Sequence, residues 1–410
     1  MDAEQPGPVS TDRYTKKKDA IIAAAAGILN RRGVKGMTLA DVAASVDLIT
    51  TSVTYYFKKK EDLAVACFLQ SLERYDILIT RSLGAADPRD RFLAFLTNFL
   101  ELNRRIREGE EAPLAVFNDV RSLRDPHFTM VMTHYRGVFR KIRAIFAAPD
   151  TEWMTLKKAT ARTHMLLEQL FWSVTWLPRY DTEDYPRIRD RMFDIFALGV
   201  ARSGAAWQPA PLAALYRDLG DCHETSRETF LRAATKLINF RGYRGASVEK
   251  ISAQLNVTKG SFYHHNEAKD DLVVACFERS FGIMRRAQSL AMQGDGDLWR
   301  KLSSAAAALV EYQLSDAGPL LRSSALSALP EPIRHGMVDQ FSRVSDRFAA
   351  MISDGIAEGS LRAVDPSIAA HMLNATLNGA ADLPFVIPGL QGAEMGKLYA
   401  KPMLMGIFER

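Results

Sequence analysis

Residues 259–277 read KGSFYHHNEAKDDLVVACF. With Thr258 in front, Lys259, Gly260, Ser261, Tyr263 and His264 gather hydroxyl, ammonium, phenol and imidazole groups on a few consecutive positions, and Lys269 follows. The set is rich in hydrogen-bond donors and lacks a paired carboxylate or a nucleophile–base couple. It suits anionic oxygens and base edges better than bond-breaking chemistry. A metal site at His264–His265 is the competing reading. Adjacent helical residues point about 100° apart and chelate poorly. A second stretch, TTSVTYYFKKKEDLAVACF at 50–68, offers Thr50, Thr51, Ser52, Thr54, Tyr55, Tyr56 and Lys60 in corresponding places.

Three short helices must position each set. Ahead of residues 259–277, apolar residues recur at helical spacing over 228–241 and Gly242 ends the run. Ser247 then offers a helix N-cap, Asn256 a left-handed turn residue and Thr258 the next cap. The stretch at 50–68 repeats the plan: a helix over 19–32, Gly33, Thr38 as cap, a helix to Val46, Asp47 at the turn, then a helix over 51–57. Two short helices about a tight turn form a helix-turn-helix, whose second helix fits the DNA major groove. Side chains and free N–H groups at its start then reach phosphates and bases.

The two stretches are copies. A shift of 209 residues aligns 30–68 with 239–277 at 13 identities in 39 positions, and Val65–Phe68 matches Val274–Phe277 residue for residue. So long a period implies duplication of a whole domain. HMLLEQL from His164 echoes HMLNATL from His371, with Leu-Pro after each. Residues 12–70 carry ten Lys/Arg against six Asp/Glu and 226–281 carry nine against six, so the net charge of +5 lies in the copies and the remainder is slightly acidic. Such a distribution suits a polyanion partner.

Other classes are disfavoured. No nucleophile elbow, P-loop, GxGxxG, HExxH or paired-cysteine motif is present, so an enzyme is not expected, nor a cofactor or metal. No apolar run reaches about 18 residues. Cys67, Cys222 and Cys276 are odd in number and lack CxxC spacing. Together with a polar N-terminus, these features set the expectation of a cytoplasmic protein without membrane contact.

The ordered residues Ser247–Ile251 with Thr258–Leu272, and Thr38–Ala43 with Thr51–Leu63, resemble the TetR/AcrR family of bacterial transcriptional regulators. The resemblance implies an all-α fold: two tandem TetR-like units, each a three-helix helix-turn-helix domain plus a helical ligand and dimerisation domain. The implied divisions are 1–14 disordered, 15–62 first DNA-binding domain, 63–203 first helical domain, 204–224 linker, 225–271 second DNA-binding domain and 272–410 second helical domain. It implies a ligand-responsive regulator, with repression the expected outcome, on a pseudo-palindromic double-stranded DNA operator. Departures make the heads unequal. Asn266 stands where the family has Phe, while Thr54, Thr51 and Ile49 replace the usual Tyr, Gly and cap. A fold-sharing helical scaffold that has lost DNA binding in one or both heads is the alternative.

Family members pair as homodimers. Here the implied arrangement is an intrachain pseudo-dimer seamed by helices over 151–176, 185–201, 366–381 and 393–408, or else further pairing of chains. The resemblance also implies a pocket for a small apolar, aromatic or acyl effector. Candidate lining residues are Phe99, Phe117, Phe139, His164, Phe171, Trp172 and Trp176, with Tyr312, Phe348, His371 and Asn374 as analogues. Trp172 and Trp176 equally suit the seam.

Overall fold

The computed structural model describes residues 8–148, 152–216, 222–242, 250, 252–253, 269–390 and 392–409. Among them every regular element is helical, and a lone antiparallel bridge joins Ala201 to Leu361. The helices are α1 (Pro8–Gly36), α2 (Leu39–Ser45), α3 (Thr50–Tyr56), α4 (Lys60–Ser82), α5 (Pro88–Arg107), α6 (His127–Arg143), α7 (Leu156–Trp176), α8 (Tyr185–Leu198) and α9 (Cys222–Arg241). They continue with α10 (Lys269–Gln293), α11 (Leu298–Tyr312), α12 (Glu331–Ala357), α13 (Pro366–Gly379), α14 (Leu383–Val386), α15 (Gly392–Met395) and α16 (Lys401–Met405), with a π turn, Gly396–Ala400, between the last two. Among the described residues no helix is long and apolar enough to cross a membrane.

The chain forms two compact units. One comprises the chain to Leu78 with Leu102–Val138; the other comprises Ile79–Glu101 with Phe139–Arg410. Helices α4, α5 and α6 run unbroken through the division points.

In the first unit, α1 carries a kink at Gly33 (φ 63°). A glycine adopts this left-handed conformation without the Cβ penalty. Helix α1 begins at Pro8, which corrects the expected disorder over 1–14 for residues 8–14. Tyr14 packs its ring 4.8 Å from that of Tyr56 and 6.1 Å from that of Tyr55. Such ring contacts offset the entropy of ordering the helix start.

In the second unit, α12 packs on α13, and α10 packs on α9, α11 and α12. Helix α13 also packs on α7 and α8 of the first repeat, and α16 packs on α8. The expected linker is seated here rather than loose. Trp207 meets Trp299 at 6.1 Å, Trp299 Nε1 donates to Ala206 O at 2.9 Å, and Tyr216 stacks on Tyr312 at 5.7 Å. Within this linker Ala213–Tyr216 form a 3-10 turn, and residues 217–221 lie outside the described set.

The duplication extends to hydrogen bonds. Cys67 Sγ meets Ile22 O at 3.5 Å and Cys276 Sγ meets Leu231 O at 3.6 Å. Burial pushes both thiols up to about 12, so neither is a reactive thiolate at neutral pH. Ser71 Oγ donates to Cys67 O and accepts from Ala115 N; Ser280 Oγ donates to Cys276 O and accepts from Leu321 N.

Candidate nucleic-acid interface and effector cavity

The first head is assembled by caps and two apolar pins. Thr38 Oγ1 accepts from Asp41 N at 3.1 Å and donates to Asp41 Oδ2 at 2.8 Å. Arg32 reaches the same carboxylate at 2.9 Å. The Thr38 hydroxyl first, then Arg32, hold the Asp41 carboxyl below its usual range. Asp47 carries the turn at φ 52°, the one non-glycine with positive φ among the described residues. Leu48 N closes that turn on Ala43 O at 2.9 Å. Val53 and Phe57 are buried beneath α3, each stabilising it by about 2 kcal/mol.

This leaves one face of α3 to solvent. Thr50, Thr51 and Tyr55 are exposed, and Ser52, Thr54 and Tyr56 are half-buried. Thr54 Oγ1 donates to Thr50 O at 2.8 Å, which leaves the hydroxyl only acceptor capacity toward a ligand. Lys60 is half-buried at the start of α4. Its Nζ donates to Lys35 O at 2.7 Å, a C-terminal carbonyl of α1 that a nearby ammonium satisfies. Lys58 and Lys59 are exposed beside it, as are Arg13, Lys16 and Lys17 on α1. In the second head, Ser247, Thr258, Lys259, Gly260, Ser261, Tyr263 and His264 lie outside the described residues, and Lys269 opens α10.

Both heads are held by an asparagine clamp that sequence reasoning did not single out. Asn30 Nδ2 donates to Leu114 O and Asn30 Oδ1 accepts from Val116 N, both at 2.8 Å. Asn239 Nδ2 donates to Leu320 O at 2.8 Å and its Oδ1 accepts from Arg322 N at 3.0 Å. The available signal was an asparagine at the first aligned position of both copies.

The candidate effector residues separate. Phe117 belongs to the first unit, 5.4 Å from Phe68. Phe99, Phe139, Phe171, His164, Trp172 and Trp176 belong to the second. Three of them face the second repeat. His164 Nδ1 is 2.8 Å from Tyr399 Oη, Trp172 lies edge-on to Phe341 at 5.0 Å, and Trp176 stacks on His371 at 5.2 Å. The apolar spacing on α7 marks a buried face without specifying what covers it.

A small cavity lies within the second repeat, lined by Phe277, Phe281, Met284, Phe341, Leu377 and Asn374 among others. It has room for about one water. Asn374 is 1% exposed and donates to Ser345 Oγ, while its Oδ1 is buried without a hydrogen-bond partner. Tyr312 and Phe348 are buried in the same repeat. His371 is buried too, and burial first, then the Arg179 charge, bring its pKa down to about 4 despite Asp365.

Equivalent residues of the two repeats meet each other. In the HMLLEQL/HMLNATL register, Gln169 corresponds to Thr376, and Gln169 Nε2 donates to Thr376 Oγ1 at 3.0 Å and to Met372 O at 2.7 Å. Gly199 and Gly406, both with positive φ, correspond likewise. A Cβ on Gly199 would strike the backbone of Leu404 and Met405, and one on Gly406 the backbone of Ala197 and Leu198. Val200 N donates to Leu404 O at 2.8 Å and Ile407 N to Phe196 O at 2.9 Å. Buried Arg162 on α7 donates to Ile407 O and Glu409 O. Arg362 pairs with Asp194 at 2.8 Å, and Arg191 pairs with Asp365.

A duplicated helical chain whose capped helix-turn-helix presents a polar helix to solvent is, by its fold, a regulatory-protein architecture. The sequence profile described as "Bacterial regulatory proteins, tetR family" matches residues 21–67 and 230–276. The chain is 30% identical over 159 residues to the HTH-type transcriptional repressor DhaR of Mycobacterium sp. (strain GP1), covering 38% of this chain and 79% of that protein. It is 25% identical over 153 residues to the transposon Tn10 TetC protein of Escherichia coli, covering 37% of this chain and 76% of that protein. The chain belongs to the TetR family of bacterial regulatory proteins, and carries two tandem TetR-like units. Among solved structures, the TetR family transcriptional regulator PfmR from Thermus thermophilus aligns at 20% identity and TM-score 0.37, over 44% of this chain and 99% of that one. AibR in complex with isovaleryl coenzyme A and operator DNA aligns at 19% identity and TM-score 0.34, over 41% and 92%.

Proposed function

We propose that this chain is a ligand-responsive transcriptional repressor in which one polypeptide supplies both DNA-reading heads. The observation that carries the reading is reciprocity: Gln169 meets its counterpart Thr376, and Gly199 and Gly406 each abut the other's helix end. Self-complementary contact of this kind is the signature of an isologous two-fold interface. Tethering both partners makes their pairing independent of protein concentration. The first head reads a half-site with Thr50, Thr51, Ser52 and Tyr55 and grips phosphates with Lys58 and Lys59. The second uses Thr258, Lys259, Gly260, Ser261, Tyr263 and His264 on a different half-site. Phosphate contacts make the affinity fall steeply with salt.

The effector is a small, mainly apolar molecule that enters the second repeat's cavity. Because the cavity holds about one water, an effector must widen it and so favours a different conformation. Its walls include Leu320, Leu321 and Ser323, the segment clamped by Asn239, so widening acts on the second head.

The test uses a duplex selected from a random pool by the full-length protein. The mass of the complex should equal one chain per duplex, with two unlike protected half-sites. Two chains per duplex would overturn the single-chain arrangement, and failure to select any duplex would overturn DNA reading.

A further inference from the structure

The clamp on the second head has a continuation that its copy on the first head lacks. Arg322 donates its backbone N–H to Asn239 on α9. Its guanidinium turns the other way. One arm reaches both carboxylate oxygens of Glu168 at 3.1 and 3.2 Å, and the other reaches Asp382. Glu168 belongs to α7 of the first repeat and is 7% exposed. Asn378 Nδ2 lies 3.5 Å from Glu168 Oε2, and Asn378 Oδ1 accepts from Ser323 N at 2.6 Å. His164 completes the cluster, its Nε2 3.8 Å from Glu168 Oε1. His164, Glu168 and Asp382 present ligand-type atoms within 4.8 Å of one another, and Arg322 supplies the positive charge between the two carboxylates.

The matching bonds of the first clamp make Val116 the counterpart of Arg322. In the HMLLEQL/HMLNATL register, Ala375 is the counterpart of Glu168. Neither counterpart can form an ion pair. We propose that Arg322 is a positioning residue for DNA reading by the second head alone: it ties α9 to the first repeat across the seam, so that this head's placement is set from the opposite half. One guanidinium nitrogen is held between both oxygens of Glu168 while the other is held by Asp382, so the group bridges two carboxylates, and its burial removes the screening that weakens surface pairs. Ser323 and Asn378 also line the cavity, so a cavity occupant pushes on this same tie. The inference rests on the two-headed reading for its functional meaning, and its structural part is measured without DNA.

Glu168→Ala removes the tie while leaving Arg322 paired with Asp382. Glu168→Gln keeps the volume and hydrogen bonding without the charge, and covers the case of poor folding by the alanine variant. Hydrogen exchange of the full chain should show α9 amides exchanging about tenfold faster or more in Glu168→Ala, with α1 unchanged and Glu168→Gln between. On the duplex selected by the wild-type chain, one half-site should lose protection and the other keep it. Unchanged α9 exchange, or equal acceleration in α1 and α9, overturns the proposal. If the wild-type chain selects no duplex, the two-headed reading falls and the exchange result still decides whether Arg322 positions α9.

Discussion

His164 and His371 open the same three-residue word, His-Met-Leu, on two helices that pack together, yet their surroundings are opposite. His164 hydrogen-bonds Tyr399 and neighbours Glu168. His371 lies flat on Trp176 with its Nδ1 buried and without a partner. The glycines Gly199 and Gly406 show the other outcome: both have positive φ, 72° and 107°, and both leave no room for a Cβ beside the facing backbone, at 2.3 and 2.6 Å. Duplication has preserved the backbone contacts of the seam while its side-chain chemistry has diverged. Backbone approach tolerates almost no alternative residue, whereas a buried polar position accepts any partner set that satisfies it.

The comparison breaks most severely at the glycines. Gly199→Val and Gly406→Val each force a branched side chain into facing backbone at a positive φ, and should each cost about 3 kcal/mol or more. Urea unfolding should give similar losses for the two; a mild effect at one position would mean that the seam is less symmetric than its contacts. The histidines should separate under acid. His371 has its folded pKa depressed to about 4 from 6.5, so its contribution is complete above pH 6.5 and is lost as pH falls toward 4. The loss amounts to at most about 3 kcal/mol. His371→Phe retains a ring on Trp176, and stability measured against pH should then lose that slope. The clamps sharpen the comparison with the smallest effect. Asn30→Ala and Asn239→Ala each delete two hydrogen bonds, about 1–2 kcal/mol. Hydrogen exchange should rise near 114–116 in the first variant and near 320–322 in the second, without crossover.

The head was legible because its rules are local. Thr38 and Asp47 specify a cap and a left-handed turn from their own chemistry, and the structure places each in that role; Gly33, expected to end the first helix, kinks it instead, and α1 runs on to Gly36. The covering of α7 was not legible. Apolar spacing predicts that His164, Trp172 and Trp176 are buried, and nothing in that spacing separates an effector wall from a neighbouring helix. Arg322 and Glu168 stand 154 positions apart, and only the fold brings them together. Tyr14 was hidden for a related reason: its partners Tyr55 and Tyr56 lie on α3, beyond the rest of α1 and all of α2, and the polar residues before it read as a loose end.

The bond between Gln169 and Thr376 has an evolutionary corollary. At the centre of a homodimer every side chain confronts an identical twin, so any substitution there happens twice at once. A chain carrying both copies escapes that restriction, and one partner can become a glutamine while the other becomes a threonine. Gene fusion thereby turns a spot that selection could alter only in duplicate into two independently adjustable ones.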